Sequence, residues 1–178
     1  MTRNYFWYWD KVRALSTDTD TTHVESGDIM KIIDIKNNDK FLDEYIKLCS
    51  LEWGTPKNDS EMKAYIVNKR KKILEEDKVI SILGLVDNNT LIGFISLFKY
   101  DGDYHRDLTP WYATMYVKKE YRNKGYSKLL NNAILNEARK KGYNKVYLKT
   151  ELKNYYEKFG AIFIENLPEE KLYYIPLN

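Results

Sequence analysis

A short basic turn between an apolar segment and an amphipathic segment is the part of the chain best suited to bind an anion. Met115-Tyr116-Val117 ends the apolar segment, a polar stretch with Arg122 and Lys124 follows, and a helical pattern starts at Tyr126. A turn that enters a helix presents unpaired backbone N–H groups, and the helix N-terminus adds partial positive charge. Arg122 and Lys124 add two full charges. The pattern therefore predicts a site for a phosphate or pyrophosphate.

The composition is typical of a globular protein and argues against several other functions. Hydrophobic residues make up 43% and charged residues 31% of the 178, and the formal charge of +3 is spread rather than concentrated on a basic face. A single cysteine, Cys49, and two separated histidines offer no disulfide and no metal-ligand spacing. No apolar run approaches the roughly 18–20 residues that cross a bilayer, and no signal peptide is recognisable. We therefore expect a cytoplasmic protein without a metal, nucleic-acid or membrane partner.

The chain divides into two parts at about Met30. Residues 1–29 hold an aromatic cluster and a polar run rich in Thr and Asp, which indicate an N-terminal extension or leader. Residues 30–178 hold the regular patterns of the main domain. Periodicity there predicts a strand at 31–35, two helices, strands at 79–86, 91–98 and 111–117, a long helix from Tyr126, a strand at 146–148, a short helix at 154–159, and strands at 161–164 and 171–175.

These elements predict a mixed α/β (α+β) sheet of about six or seven strands, mostly antiparallel and flanked by helices. The strands before and after the long helix are expected to be parallel, as in a right-handed crossover. Helix N-caps are expected at Asp39 for the first helix and at Asp59 or Ser60 for the second.

The basic turn also carries a family resemblance. Arg122-Asn123-Lys124-Gly125-Tyr126-Ser127 resembles the acetyl-CoA pyrophosphate loop of the GNAT N-acetyltransferase superfamily, whose pattern is Gln/Arg-x-x-Gly-x-Gly/Ala. Ser127 stands where Gly or Ala is usual, and Asn123 stands where Gly is frequent. Asn154 to Ala161 resembles the family's second signature, an aromatic-Tyr-x-x-x-Gly segment, and the element order from Met30 onward agrees. The resemblance implies a GNAT fold and an acetyl-CoA-dependent N-acetyltransferase, acting on a primary amine of a small molecule or peptide by direct transfer in a ternary complex.

The resemblance implies roles for individual residues. The pantetheine arm of acetyl-CoA is expected to pair with the backbone of the strand, where an N–H near Met115 or Tyr116 polarises the acetyl carbonyl. Tyr156 is the expected acid for the CoA thiolate, since a tyrosine pKa of about 10 keeps its hydroxyl protonated until that thiolate appears. The expected cofactor-binding residues are Met115, Tyr116, Val117, Arg122, Asn123, Lys124, Gly125, Tyr126, Ser127 and Asn154.

The acceptor site and the general base are less well defined by the sequence. Trp53, Trp111 and Tyr112, together with an acidic loop that holds Asp101, Asp103 and Asp107, are candidates for an aromatic and anionic pocket for a cationic amine. Only one of Trp111 and Tyr112 can face that pocket, because strand side chains alternate. The strand glutamate frequent in the family is absent from 111–117. The base therefore stays open between a water-mediated route and Glu52, Asp107 or Glu151, and Cys49, without a paired histidine, is not expected to be a nucleophile.

Two other functions remain open at this point. One is a catalytically silent module that binds or senses acyl-CoA, which the missing strand glutamate favours and Tyr156 disfavours. The other is a protein-interaction domain without cofactor, which the chemistry of the basic turn disfavours. A homodimer is compatible with the resemblance, because members of the family commonly dimerise.

Overall fold

Seven strands form one sheet in the computed structural model, which describes residues 30–102 and 105–177. The predicted extension at 1–29 and Asp103 lie outside the described residues. The elements are β1 (Lys31–Asp34), α1 (Asp39–Trp53), α2 (Asp59–Glu75), β2 (Val79–Asp87), β3 (Thr90–Phe98), β4 (Trp111–Val117), α3 (Tyr126–Lys140), β5 (Lys145–Thr150), β6 (Ile162–Asn166) and β7 (Lys171–Pro176). Single 3₁₀ turns lie at Lys119–Tyr121 and Glu157–Phe159.

The sheet order is β1-β2-β3-β4-β5-β7-β6. All neighbours are antiparallel except β4 and β5, which are parallel and joined through α3. The predicted mixed, mostly antiparallel sheet with one parallel crossover pair is confirmed.

Helices cover the two faces of the sheet, so its central strands are buried on both sides. On one face, α3 packs Leu130, Ile134 and Ala138 against apolar side chains of β2 to β5. On the other, α1 packs residues including Leu42 and Ile46 against the opposite side chains of β2 to β4. We refer to these as the α3 face and the α1 face.

Two asparagines cap the first two helices, one residue before the expected positions. Asn38 has extended backbone angles, and its side chain accepts a hydrogen bond from the N–H of Phe41. Asn58 forms a reciprocal capping box with Glu61. A cap must precede the first helical residue with a non-helical backbone, and Asp39 and Asp59 already lie inside the helices. The predicted caps at Asp39 and at Asp59 or Ser60 are therefore wrong.

The short helix predicted at 154–159 is reduced to the 3₁₀ turn Glu157–Phe159. Asn154 takes a φ of +57°, which a right-handed helix cannot include. Asparagine is among the few side chains that tolerate this left-handed conformation. The chain therefore bends after β5 and places Tyr156 by a loop rather than by a helix.

Candidate functional site

The parallel strands β4 and β5 are joined at one end only. Trp111 pairs with Tyr147, and the Tyr147 N–H donates to the Pro110 carbonyl at 2.9 Å. Within the described residues, β4 has no further partner on this side, although it stays paired with β3 as far as Val117. The C-terminal half of β4 therefore borders an opening, where its backbone groups are available to an extended ligand.

A bulge interrupts β4 where it borders this opening. Ala113 pairs with Ser96 and Tyr116 pairs with Phe94, so β4 holds one more residue than β3 between these pairs. Thr114, inside the bulge, has a φ of +51°. A bulge bends its strand and redirects the groups next to it. It therefore changes the direction of the β4 backbone where Met115 and Tyr116 are expected to contact the acetyl group.

The turn that follows β4 is built to receive an anion. Asn123 and Gly125 have φ values of +64° and +77°, and Gly125 caps α3 without any side-chain bond. None of the backbone N–H groups of residues 123–127 has an acceptor among the described residues. A Cβ atom added to Gly125 would meet nothing within 4 Å. The turn thus offers unpaired N–H donors at a helix N-terminus with free space beside them, and these features fit a pyrophosphate.

Arg122 connects this turn to the end of β4. Its Nε donates to the Val117 carbonyl at 2.9 Å, and its guanidinium lies 5.8 Å from the centre of the Tyr116 ring. One guanidinium nitrogen is also 4.0 Å from the carboxylate of Glu52 in α1. Arg122 therefore holds the turn against the strand and shares its charge with Glu52. Lys124 is exposed, with its Nζ 5.7 Å from the centre of the Tyr121 ring.

The loop after β5 brings Tyr156 against β4. The Tyr156 ring meets Tyr112 of β4 edge-on, with centroids 5.7 Å apart and planes at 83°. Both rings lie on the α3 face, and Tyr156 is only 2% exposed. Burial, with a smaller contribution from Tyr155, raises the pKa of Tyr156, and burial likewise raises the pKa of Tyr112. Tyr156 is therefore a protonated donor at neutral pH, in contact with the strand that borders the opening.

The remaining expected cofactor residues lie in β4, in the turn that enters α3 and in the bend after β5. Met115 is buried on the α3 face, and Tyr126 and Val117 pack against the same cluster. Ser127 is half-buried in the first turn of α3. Asn154 is exposed at the bend after β5. The structure thus places these residues along β4, around the turn and beyond β5.

The acceptor-pocket candidates divide between different surroundings. Trp53, at the end of α1, contacts Tyr116 on the α1 face with ring centroids 6.1 Å apart. Trp111 is 1% exposed, and its indole N–H donates to the Leu108 carbonyl at 2.8 Å. Asp107 lies in an exposed turn. Tyr112 faces the α3 side, so Trp53 is the candidate that borders the end of β4 on the α1 face.

The candidates for the base also differ in their surroundings. Asp107 and Glu151 are exposed, whereas Glu52 is half-buried beside Arg122. Cys49 is buried in the cluster on the α1 face, and burial raises the pKa of its thiol. A buried thiol of raised pKa is a poor nucleophile, in agreement with the expectation for this residue.

The profile of the acetyltransferase (GNAT) family matches residues 42–161, a range that contains the bulge, the turn and Tyr156. The chain belongs to the GNAT acetyltransferase family.

Solved GNAT structures share the fold at low sequence identity. An aminoglycoside 6'-acetyltransferase type Ii superposes with a TM-score of 0.62 and 18% identity, covering 84% of this chain and 98% of its own. A GNAT N-acetyltransferase from Escherichia coli in complex with CoA superposes with a TM-score of 0.61 and 17% identity. The match covers 88% of this chain and 86% of that one. PaiA N-acetyltransferase from Thermoplasma acidophilum in complex with coenzyme A superposes with a TM-score of 0.54 and 18% identity. The match covers 84% of this chain and 99% of that one. At these identities the likeness shows the fold alone, and no curated protein matches this GNAT sequence.

This GNAT domain also contains a buried ionic cluster that the sequence pattern did not reveal. Lys149 Nζ lies 3.6 Å from Asp101 Oδ2 and 3.7 Å from Glu170 Oε2. Asp101 Oδ1 and Glu170 Oε1 are buried and have no hydrogen-bond partner in the part of the chain that is described. Burial, opposed by Lys149 and reinforced by Asp101, raises the pKa of Glu170 to about 7. These residues come from three separate segments, so no local spacing could have indicated the cluster.

Residues 30–102 and 105–177 contain no group of three His, Cys, Asp or Glu side chains that could hold a metal ion. No helix among them is long and apolar enough to span a membrane.

Proposed function

We propose that this GNAT protein transfers the acetyl group of acetyl-CoA to a primary amine of a small molecule or peptide, by direct attack in a ternary complex. The observation that carries the proposal is the opening beside Met115 to Val117, which leads to the unpaired N–H groups of the turn at 123–127. An edge that can accept an extended chain and an anion site at its end together match a pantetheine arm joined to a pyrophosphate.

β4 and the turn at 123–127 bind acetyl-CoA. The backbone of Met115 to Val117 pairs with the amides of the pantetheine arm, and the N–H groups of residues 123–127 bind the pyrophosphate, aided by the charge of Lys124. Arg122 keeps turn and strand in register through its bond to Val117. Asn154, exposed at the bend after β5, is expected to hydrogen-bond an amide of the arm.

β4 and Tyr156 activate the thioester. The bulge at Thr114 directs a backbone N–H of Met115 or Tyr116 at the acetyl carbonyl, where it stabilises the negative charge that develops on oxygen. The Tyr156 hydroxyl donates to the leaving sulfur. Its raised pKa keeps the hydroxyl protonated throughout the neutral range, so a donor is present when the thiolate forms.

The acceptor amine approaches on the α1 face in this proposal. Trp53 and Tyr116 present aromatic surface at the end of β4, and Glu52 adds a carboxylate beside them. Aromatic faces and a carboxylate favour a cationic amine.

Two measurements test the proposal in order. Titration calorimetry with CoA and acetyl-CoA tests the cofactor site, and absence of binding would refute it. Release of free thiol from acetyl-CoA is then measured with spermidine, kanamycin and a lysine-containing peptide amide. Amine-dependent release supports acetyl transfer. Tight binding without release for any amine class would instead indicate a silent acyl-CoA-binding module.

A further inference from the structure

The Asp101–Lys149–Glu170 cluster lies beside the opening between β4 and β5. Trp111 and Tyr147 pair at the closed end, and two residues further along these parallel strands come Ala113 and Lys149, on the two sides of the opening. Ala113 and Tyr147 both pack on the α1 face, so alternation places Lys149 on that face as well. Glu170 precedes β7, whose Lys171 pairs with Thr150. The cluster therefore shares its face with Trp53 and Tyr116.

The ion pairs within the cluster are loose. Both N···O distances from Lys149 exceed the range of a good charge-assisted hydrogen bond. One carboxylate oxygen of Asp101 and one of Glu170 remain buried without any donor in the described chain. Each carboxylate thus keeps one buried oxygen that no donor among the described residues satisfies, so the cluster still has capacity for a proton.

The two carboxylates differ in access. The Asp101 side chain is 4% exposed, whereas the Glu170 side chain is 17% exposed. Glu170 is therefore the more accessible of the two, through Oε2 because its Oε1 is buried, and Asp101 can act only through its charge.

We propose that Glu170 is the general base that takes the proton from the acceptor ammonium, an assignment that rests on the acetyltransferase function proposed above. A carboxylate oxygen of Glu170 accepts one N–H proton, which leaves a neutral amine. The amine nitrogen attacks the acetyl carbonyl carbon, the C–S bond breaks, and the sulfur leaves with the electron pair of that bond and is protonated by Tyr156. The nitrogen loses its remaining extra proton to water, which completes the amide.

The surroundings of Glu170 match this task. The charged groups that face it are Lys149, Asp101, Glu151 and Glu169, and Lys78 acts on Asp101. Burial is the main cause that raises the Glu170 pKa to about 7, Asp101 adds to the rise, and Lys149 opposes it. A base is most effective when its pKa lies near the working pH, so this environment suits proton transfer at neutrality.

The pH dependence of kcat/KM tests the assignment. It is measured from about pH 5 to about pH 9 with whichever of spermidine, kanamycin and lysine amide the wild type acetylates fastest. The wild type is expected to lose activity below a midpoint near the Glu170 pKa of about 7. Glu170→Gln should lower kcat/KM at its optimum by about 10²-fold or more and abolish this acidic limb. Asp101→Asn should move the limb to lower pH, and Lys149→Met should move it to higher pH, because these charges act on Glu170 in opposite directions.

Controls separate a base from a structural residue. Glu169→Gln, on the exposed part of the same hairpin, should leave the rate near that of the wild type and shift the limb less than Asp101→Asn. An amine that is already neutral at pH 7, such as 2,2,2-trifluoroethylamine, should reduce the defect of Glu170→Gln. Calorimetry should show unchanged CoA binding by Glu170→Gln.

The outcomes also distinguish the two proposals. If the wild type acetylates an amine but Glu170→Gln keeps the acidic limb, or if Glu52→Gln removes it instead, the assignment is wrong while the proposed function stands. If the wild type binds CoA and acetylates no amine, both are wrong.

Discussion

Thr114 Oγ1 donates a hydrogen bond to Ser96 Oγ at 2.5 Å, at the residue where β4 adopts a φ of +51°. This conformation is unfavourable for a β-branched side chain and persists only when its surroundings enforce it. Ser96 Oγ also lies 3.0 Å from the Tyr45 hydroxyl of α1. All three side chains are buried. The hydroxyl chain therefore ties α1 to the bulge that directs the β4 backbone toward the opening.

Ser96→Ala should destabilise the protein and weaken cofactor binding together. The substitution leaves two buried hydroxyls without their partner, which costs about 1–3 kcal/mol of the free energy of unfolding. Urea denaturation measures the change in stability, and calorimetry with CoA measures the change in cofactor binding. Thr114→Ser is the matched control, because it keeps the hydroxyl and should retain both properties. An unchanged urea midpoint in Ser96→Ala would show that the chain does not hold the bulge.

Gly125→Ala and Gly142→Ala should separate backbone strain from anion binding. The two glycines have φ values of +77° and +84°, and neither added Cβ would meet another atom within 4 Å. Each alanine should therefore lower stability by about 1 kcal/mol through left-handed strain alone. Only Gly125 lies in the turn with the unpaired N–H groups. We expect CoA affinity, measured by calorimetry, to fall at least tenfold for Gly125→Ala and to stay constant for Gly142→Ala. Equal affinities would place the pyrophosphate elsewhere.

The parts of this molecule that were predictable from sequence are those with a local cause. The apolar stripe of α3, the 111–117 strand and the turn at Arg122 to Gly125 each follow from the spacing of neighbouring residues, and the structure contains all three elements. The parallel crossover pair followed from the order strand, helix, strand along the chain. The structure also gives a physical reason for Asn123 in place of the frequent glycine, since its φ of +64° is one that asparagine tolerates.

The features that escaped prediction depend on tertiary contacts. Arg122 turns toward Glu52 because α1 ends beside β4, and nothing near either residue in the sequence indicates this. Lys149 and Glu170 meet because β5 lies next to β7 in the sheet. The expected helix at 154–159 failed for a local reason instead, because a left-handed residue at Asn154 excludes it.

Tyr156→Phe should reduce turnover without reducing CoA affinity. Loss of a proton donor to the leaving sulfur is expected to lower kcat by about 10²-fold, measured by thiol release. Tyr155→Phe is the matched control. The Tyr155 ring packs on Tyr156 with centroids 4.9 Å apart, and phenylalanine should preserve that ring contact. An unaltered kcat in Tyr156→Phe would remove this residue from the mechanism.

Tyr112→Phe should behave differently from Tyr156→Phe. The Tyr112 hydroxyl is buried with no partner among the described residues, so deleting it relieves an unsatisfied polar group. We expect the free energy of unfolding to stay equal or to rise by about 1 kcal/mol, with turnover retained. A large loss of turnover in Tyr112→Phe alone would identify Tyr112 as the proton donor.

Glu170→Gln should stabilise the protein at high pH and not at low pH. Burial raises the pKa of Glu170 from 4.5 to about 7, so the unfolded chain ionises this carboxyl before the folded one does. Below pH 4.5 both states are protonated and no penalty exists. Between 4.5 and 7 the folded state binds more protons, and the wild type therefore loses stability as pH rises, until both states are ionised. Glutamine resembles the neutral acid and avoids this loss.

Urea denaturation at a series of pH values measures the stability of the variant relative to the wild type. This difference should rise from about zero to about 1–3 kcal/mol across this window. Glu169→Gln, an exposed neighbour, is the matched control for removal of a carboxylate from this hairpin. A difference for Glu170→Gln that is constant with pH would remove the electrostatic support for Glu170 as the base.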